Sequence, residues 1–152
     1  MFRIEVLKKF TVRALSDINQ LLPQLALSNV PPKLLTPAGL KHLLKQKNTC
    51  LVVVIDSVKK PPQIIGMATV YLVYVPTGLI AVIEDVVVDG TYRGRGLGRK
   101  LTEKLIKIAT IKKAKYISVK TNPVRVESNA MYVKMGFVKK ETNFYRINLP
   151  WK

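Results

Sequence analysis

A Gly-rich turn with interleaved arginines separates an apolar, strand-like run from an amphipathic helical run. Glycine lets successive backbone N–H groups converge on one point, because no side chain blocks the approach. The N-terminus of the following helix adds unpaired N–H donors and the positive end of its dipole. We therefore predict a pyrophosphate-binding loop. Its residues are Arg93, Gly94, Arg95, Gly96, Leu97, Gly98 and Arg99.

Two carboxylates interrupt the apolar run before this turn. Glu84 and Asp85 are two of only nine acidic residues in the chain. Adjacent strand residues point to opposite faces, so both can face one cleft only if a bulge turns the strand. One interpretation is a general base, direct or through water, whose pKa partial burial raises into a useful range. The other is a structural carboxylate that holds a neighbouring backbone group or a lysine.

Three segments resemble the GNAT family of N-acetyltransferases in order and spacing, over roughly residues 80 to 149. The first is the acyl-CoA loop pattern Arg93-x-x-Gly96-x-Gly98. The second joins Thr121-Asn122-Pro123-x-Arg125 to Ser128-Asn129-Ala130-Met131-Tyr132-Val133-Lys134-Met135-Gly136-Phe137, and the third is Glu141-Thr142-Asn143-Phe144-Tyr145-Arg146. The strand and loop resemble glucosamine-phosphate N-acetyltransferases in particular. The C-terminal segments look more like uncharacterised small bacterial-type members.

The resemblance implies transfer of an acetyl group from acetyl-CoA to a primary amine, by direct attack in a ternary complex. Strands at residues 79–88 and 116–120 would splay apart and hold acyl-CoA in the gap. The implied cofactor contacts outside the loop are Val86, Val87, Val88, Asn129, Tyr132 and Lys134. No metal is implied. The acceptor could be a hexosamine phosphate, another small amine or a peptide amine. In such enzymes the first two helices and their loop, here residues 21–47, determine the acceptor, and this region contains no motif that would decide among the three.

Tyr132 and Asn129 each have two interpretations. In similar enzymes a tyrosine at this place protonates the departing thiolate, and its ordinary pKa of about 10 lies above that of a thiol, near 8.5. The alternative for Tyr132 is an aromatic side chain that packs its helix on the sheet. Asn129 would hydrogen-bond the cofactor, or cap the start of the helix.

The excess of basic over acidic residues indicates which kinds of partner the protein would attract. With 26 Lys and Arg against 9 Asp and Glu, the formal net charge is +17. Such a field attracts polyanions, which include both coenzyme A and nucleic acid. A solvated helix face or a polyanion-binding patch would explain Lys107, Lys112, Lys113 and Lys115. Two other functions therefore compete with the enzyme: a basic nucleic-acid- or ribosome-associated module, and an acyl-CoA sensor without turnover.

Length and composition predict one domain over residues 1–152, large enough to bury a core. No apolar run is long enough to span a bilayer, and the N-terminus does not read as a secretory signal. A single cysteine, Cys50, and a single histidine, His42, are typical of a reducing cytoplasm without a structural zinc site. We expect a cytoplasmic monomer or homodimer that acts away from membranes.

Hydrophobic periodicity predicts an α/β (α+β) fold. The resemblance sharpens this to the GNAT fold, a mixed, mostly antiparallel sheet with splayed central strands and about four helices. Predicted strands cover residues 10–14, 51–55, 64–75, 79–88, 116–120, 137–140 and 143–149, with residues 3–6 extending or preceding the first. Helices are predicted after a Ser16 cap, with a kink or early end at Pro23, after Thr36-Pro37, from Leu97, and over residues 125–134 with Gly136 as C-cap. Residues 29–32 are predicted to form a loop.

Overall fold

The computed structural model describes residues 1–27 and 32–150. The chain divides into two compact units, residues 1–120 and 121–152, and each is described by itself. The first unit contains the strands β1 Phe2–Val6, β2 Thr49–Asp56, β3 Gln63–Val75, β4 Gly78–Val88 and β5 Ile117–Val119. Its helices are α1 Val12–Leu21, α2 Pro37–Lys45 and α3 Leu97–Ile111, with short 3-10 turns at Leu22–Leu25 and Gly90–Tyr92. The second unit contains α4 Val126–Lys134.

The five strands form one sheet in the order β1-β2-β3-β4-β5. The pairs from β1 to β4 are antiparallel, whereas β5 runs parallel to β4. Parallel neighbours need a crossover connection, and α3 supplies it here. The predicted mixed, mostly antiparallel sheet is confirmed.

Helices cover both faces of the sheet. On one face α1 and α2 pack with Leu51, Val53 and Ile55 in a buried cluster. On the other face lies α3, whose buried side chains recur at helical spacing, at Leu97, Leu101, Leu105 and Ala109. Because β2 is covered on both faces, its last six residues are all buried, and they read as a continuous apolar run ending in Asp56.

The prediction for residues 10–14 is wrong. These residues form no strand, because Val12 begins α1 and Thr11 caps it, its hydroxyl accepting a hydrogen bond from the Ala14 N–H at 3.0 Å. Ser16 therefore lies inside the helix and is not its cap. A side chain that satisfies an orphan N–H outweighed a short alternating pattern. The first strand is Phe2–Val6.

Two helix boundaries follow the predicted proline and threonine signals. The helix α1 ends at Leu21 and passes into the 3-10 turn that contains Pro23, because proline lacks the N–H that would continue the helix. Thr36 caps α2 by accepting from the Gly39 N–H at 3.0 Å, with Pro37 at the first helical position. The predicted loop lies, except for Pro32, outside the described residues.

In the second unit α4 ends at Lys134, Met135 is its C-cap, and the predicted left-handed glycine, Gly136, follows with φ 91°. The Gly136 N–H bonds to the Val133 carbonyl and the Phe137 N–H to the Tyr132 carbonyl, both at 3.0 Å, which is the Schellman arrangement. The strands predicted at 137–140 and 143–149 are wrong, since those residues form no regular element. A strand needs a partner for its backbone groups, and the described part of this unit has no other strand. Across the described residues, no helix is both long and apolar enough to cross a membrane.

Asp17 joins α1 to the sheet, and its loss should destabilise the fold. Its carboxylate is 3% exposed, accepts from the Ile64 N–H at 2.9 Å and lies 3.2 Å from Arg13 Nε. We predict that Asp17→Ala lowers the free energy of unfolding by about 1–3 kcal/mol, because it leaves the buried Ile64 N–H without an acceptor. Denaturant unfolding measures this.

Arg13→Ala is the matched control for this variant. Arg13 is half-exposed, so its loss should cost about 1 kcal/mol or less. Equal destabilisation by the two variants would show that the ion pair, and not the helix-to-strand hydrogen bond, is the link.

Candidate active site

The loop between β4 and α3 has the conformation that its glycines predict. Gly94 has φ 75° and Gly96 has φ 71°, in the left-handed region that favours glycine. Gly96 is the N-cap of α3, where no side chain makes a capping hydrogen bond and the first turn contains no acidic residue. The helix therefore presents its N-terminal N–H donors and positive dipole end without a competing side-chain carboxylate or hydroxyl, which suits an anion.

Hydrogen bonds hold the beginning of this loop. Asp89 accepts from the Thr91 hydroxyl at 2.6 Å and from its N–H at 2.9 Å. The Gln24 amide donates to Asp89 at 3.1 Å and accepts from the Gly90 N–H at 2.9 Å. The Thr91 hydroxyl, then its N–H and the Gln24 amide, hold the pKa of Asp89 below its usual value, against the opposing effect of burial. The loop is thereby joined to the 3-10 turn that follows α1.

An aromatic and cationic cluster holds the middle of the loop. The Tyr92 hydroxyl donates to Asp56 at 2.9 Å, and the Tyr92 ring meets the Phe2 ring edge-on at 5.9 Å. The Arg95 guanidinium lies 5.2 Å from the Tyr92 ring centre and 6.0 Å from that of Phe2. The Lys59 ammonium lies 5.6 Å from the Tyr92 ring. Side chains from β1, from β2 and from the turn after β2 thus contact the loop.

The Asp56 carboxylate accepts the hydrogen bond that holds Tyr92 in this cluster. The residue is 8% exposed, yet it lies near the molecular surface rather than deep inside the protein. The Val58 N–H bonds it at 3.1 Å and, with the Tyr92 hydroxyl, holds the pKa of Asp56 below its usual value. Asp56 therefore stays ionised at neutral pH and accepts both bonds.

The three arginines of the loop have different partners. Arg93 Nε donates to the Val88 carbonyl at 3.2 Å, and Arg99 Nε lies 2.9 Å from Glu103. Arg95 lies against two aromatic rings, as described above. The positive charge predicted around the loop is present, and each guanidinium is oriented by the protein.

Next to the loop, β4 carries a bulge at its two adjacent carboxylates. Met67 pairs with Val87 and Thr69 pairs with Glu84, so two β4 residues lie opposite one β3 residue. The bulge includes Asp85, which has φ 54°, a left-handed conformation that Asp tolerates better than most residues. Such a bulge bends the strand and changes which backbone groups face each side.

The pairing of β4 with β5 ends beside this bulge. Ile83 opposite Val119 is the last pair, although β4 continues to Val88. The Ala81 N–H points towards β5 and the Asp89 N–H towards β3. Backbone groups of successive strand residues point to alternate sides, and the extra residue of the bulge shifts this alternation by one. The backbone groups of Val86 and Val88 therefore point towards the side of β4 on which β5 has already ended.

The two carboxylates of β4 have different surroundings. Glu84 lies 3.8 Å from Lys120 Nζ, and the two side chains are 41% and 52% exposed. Burial, and secondarily the Glu84 charge, raises the pKa of Tyr71 on the neighbouring strand. Surrounding protein atoms raise the pKa of Asp85, although the residue keeps solvent exposure. The described residues contain no cluster of three or more His, Cys, Asp or Glu side chains that could hold a metal.

In the second unit, α4 carries the three remaining predicted site residues. Tyr132 is 6% exposed, and its ring meets that of Phe137 edge-on at 5.4 Å. The Asn129 amide donates to the carbonyls of Asn122 at 3.0 Å and Arg125 at 2.9 Å, so it ties the helix to the preceding turn. Arg125, not Asn129, is the N-cap. Lys134 is exposed in the last turn.

Sequence reasoning missed Phe2, Gln24 and Asp56 as supports of the loop. Asp56 and Tyr92 are 36 positions apart, and Gln24 and Asp89 are 65 apart. No local pattern marks such pairs. The one available signal was that Asp56 ends an otherwise apolar strand and must find hydrogen-bond donors there.

The chain matches the model of one protein family, described as the acetyltransferase (GNAT) family, over residues 16–137. From rice, Oryza sativa subsp. japonica, the probable glucosamine 6-phosphate N-acetyltransferase 2 is 40% identical over 63 residues. That match covers 41% of this chain and 36% of the rice protein, so it spans little more than a third of the relative.

Two solved structures share the fold along nearly the whole chain. A Trypanosoma brucei acetyltransferase has a TM-score of 0.77 at 26% identity, with 98% of this chain and 100% of that chain covered. Glucosamine-6-phosphate N-acetyltransferase from Arabidopsis thaliana has a TM-score of 0.76 at 21% identity, with 97% and 98% covered. The second likeness is one of fold alone.

We predict that Tyr92→Phe loosens the loop. The variant keeps the ring contacts with Phe2 and Arg95 but loses the hydrogen bond to Asp56. Amide hydrogen exchange at residues 90–96 should accelerate several-fold, because local opening no longer has to break that bond. Exchange measured by mass spectrometry checks this.

Tyr74→Phe is the matched control, since Tyr74 is 81% exposed on β3. It should leave exchange at the loop unchanged. If Tyr92→Phe also leaves it unchanged, the Asp56 bond does not hold the loop.

Proposed function

The chain belongs to the acetyltransferase (GNAT) family, and we propose that it transfers the acetyl group of acetyl-CoA to a primary amine. The observation that carries this proposal is the joint position of two features in the first unit. The N-terminus of α3 follows a loop of left-handed glycines and has no side-chain cap, and the adjacent edge of β4 is left open by β5. The N-terminus of α3 suits phosphates, and the open edge of β4 suits an extended, amide-containing chain.

The cofactor would bind along these two features in turn. Its pyrophosphate would accept hydrogen bonds from backbone N–H groups of the loop and α3, between residues 94 and 99. The backbone groups of Val86 and Val88 would bond the amides of the pantetheine arm as a strand neighbour does. Arg93, Arg95 and Arg99 would add attraction for the phosphates. Asn129 and Lys134 stay predicted contacts, carried over from the resemblance.

The reaction needs few catalytic groups. The amine nitrogen attacks the thioester carbonyl carbon, the carbonyl oxygen becomes an oxyanion, and a β4 N–H such as that of Val86 stabilises it. The nitrogen loses a proton to Glu84, directly or through water, and the departing sulfur gains one from Tyr132. Most of the acceleration comes from holding both reactants at attack distance, which is worth an effective molarity of about 10⁵ M or more.

We assign the base to Glu84 and a backbone role to Asp85. Glu84 precedes the bulge and keeps a solvent-accessible carboxylate beside Lys120. Asp85 holds the left-handed conformation that creates the bulge and so orients the N–H groups that follow it. Its raised pKa makes it the competing base, and the two roles predict different effects of replacing it with glycine.

For the acceptor we propose a small amine that also carries a negative charge, with a hexosamine phosphate as the first choice. The rice relative acts, by its name, on glucosamine 6-phosphate. Within this chain, the Glu84 carboxylate beside the Lys120 ammonium offers one group for an amine and one for an anion. The net charge of +17 favours encounter with anionic acceptors.

Acetyl-CoA binding tests the cofactor site. We predict that the double variant Gly96→Glu, Gly98→Glu loses micromolar binding measured by calorimetry, because two carboxylates and their side chains would occupy the phosphate position. The matched control is Thr110→Glu, Ile111→Glu, which adds the same charge at the other end of α3. Absence of binding by folded wild type would refute the proposed function.

A pH–rate profile tests the catalytic roles. We predict that Glu84→Gln lowers kcat by roughly 10²-fold or more across the profile, because the neutral amide cannot accept the amine proton. Asp85→Gly should keep most of the activity, because glycine retains the left-handed conformation. Tyr132→Phe should lower kcat with little change in acetyl-CoA affinity.

The outcomes for the two carboxylates separate the alternatives. Loss of the acid limb in Asp85→Gly, with Glu84→Gln nearly as active as wild type, would make Asp85 the base. Asp85→Ala serves as the control for backbone strain, because alanine is disfavoured at φ 54°. It should be less active and less stable than Asp85→Gly.

A further inference from the structure

The outer face of α3 and the turn that follows it are strongly cationic. Residues 97–116 contain seven basic side chains and one acidic one. The basic ones are Arg99, Lys100, Lys104, Lys107, Lys112, Lys113 and Lys115. The single acid, Glu103, is already paired with Arg99. This surface therefore carries an uncompensated positive charge larger than that of the loop it follows.

Most of these lysines have no structural task in the first unit. Lys115 donates to the Thr77 carbonyl at 3.0 Å and so belongs to the fold. Lys100, Lys104 and Lys107 repeat at helical spacing and form one stripe along α3, in which Lys100 and Lys107 are exposed and Lys104 is half-buried. Among the described residues, none of these three, and neither Lys112 nor Lys113, forms a salt bridge. Like charges three and four residues apart on a helix repel each other, so the fold itself gains nothing from the stripe.

Lys113 provides a second, independent observation. It has φ 61° at the C-terminus of α3, where its N–H bonds to the Thr110 carbonyl at 2.9 Å and the Ala114 N–H to the Ala109 carbonyl at 3.0 Å. This is the Schellman arrangement, whose left-handed position favours glycine. The same chain places Gly136 at the equivalent position after α4. At the end of α3 it places a lysine in a conformation that is strained for any side chain.

The helix dipole does not explain these residues. Cations near a helix C-terminus are favourable within the last turn only, and Lys112 alone would supply that effect with glycine at position 113. Lys104 and Lys107 lie in the middle of α3, beyond its reach. Repulsion along the stripe and strain at its end both point to a partner outside the chain.

We propose that this stripe of α3 and the turn that follows it bind the phosphate backbone of a nucleic acid. From Lys104 to Lys113 the chain rises about 14 Å, a length that accompanies about four successive phosphates of one strand. Lysine ammoniums bind phosphate as point charges without reading bases. An anionic membrane is disfavoured, because Ile111 is the one large, strongly exposed apolar side chain on α3 and interfacial helices insert several.

The binding surface defined by Lys104, Lys107, Lys112 and Lys113 is distinct from the phosphate loop. Its residues begin at the second turn of α3 and continue into the turn after the helix, whereas the loop uses the first turn of α3. The proposal therefore does not depend on turnover or on acetyl-CoA. An amine acceptor attached to a nucleic acid, or a partner bound beside one, would be brought to the enzyme by this surface.

Fluorescence anisotropy tests the surface with two probes, a single-stranded RNA of about 20 nucleotides and a DNA duplex of about 20 base pairs. The triple variant Lys104→Gln, Lys107→Gln, Lys112→Gln should bind about tenfold more weakly at about 50 mM salt. For each phosphate that is no longer bound, the slope of log K against log salt should fall by about 0.7 for RNA and about 0.9 for DNA. The probe with the larger change identifies the natural form.

The matched control is Lys8→Gln, Lys9→Gln, Lys45→Gln, which removes the same charge away from α3. It should retain most of the affinity and the salt slope. Equal loss in the two triple variants would overturn the proposal, because binding would then follow the net charge alone. Absence of salt-dependent binding by wild type would overturn it as well. Acetyl-CoA calorimetry on the same variants reports the proposed function separately.

Lys113→Gly is a further test, because nucleic-acid binding should weaken while thermal stability increases. Glycine relieves the left-handed strain, so the Tm should rise by about 2 °C. Nucleic-acid affinity should fall severalfold, because glycine has no ammonium group to bind a phosphate. Unchanged affinity together with the raised Tm would show that Lys113 does not bind the partner.

Discussion

The arrangement of the site depends on one constraint in the pairing of β4. This strand pairs with β3 along its whole length, whereas its pairing with β5 ends at Ile83. Backbone N–H and C=O groups away from water need partners. The bond from Arg93 to the Val88 carbonyl satisfies one group of the open edge. The bulge at Asp85 determines which of the others face that edge. An extended ligand that supplies amides in the strand register would complete the ladder.

The Gly-rich loop at residues 93–99 combines a local property with a long-range one. Glycines at left-handed φ and the start of α3 produce the converging N–H groups, and these are set by neighbouring residues. Rigidity has another origin: Gln24 joins the loop to the turn after α1, and Asp56, with Phe2, joins it to β2 and β1. Side chains from distant positions therefore fix the loop before any ligand arrives, which reduces the ordering cost of binding.

The basic residues of the loop and of α3 form two different arrangements. The arginines of the loop are each oriented by a carbonyl, a carboxylate or a pair of rings. The lysines of α3 are left without salt-bridge partners in the described chain and end in a strained conformation. Both groups would attract phosphate, and we propose the first for the pyrophosphate of acetyl-CoA and the second for the backbone of a nucleic acid. A net charge of +17 contains these two arrangements without distinguishing them.

The sequence by itself determined the Gly-rich loop, the caps at Thr36 and Gly136, the early end of α1 at Pro23, and the mixed sheet. Each depends on a few adjacent residues or on a strong period. It misplaced the first strand, because Thr11 capped a helix there, and it predicted strands after Gly136 that have no partner in the described part of their unit. Only the tertiary structure decided the bulge at Asp85, the end of the β4–β5 ladder and the contacts of Asp56 and Gln24. Those features depend on which distant segments become neighbours, and local sequence does not encode that.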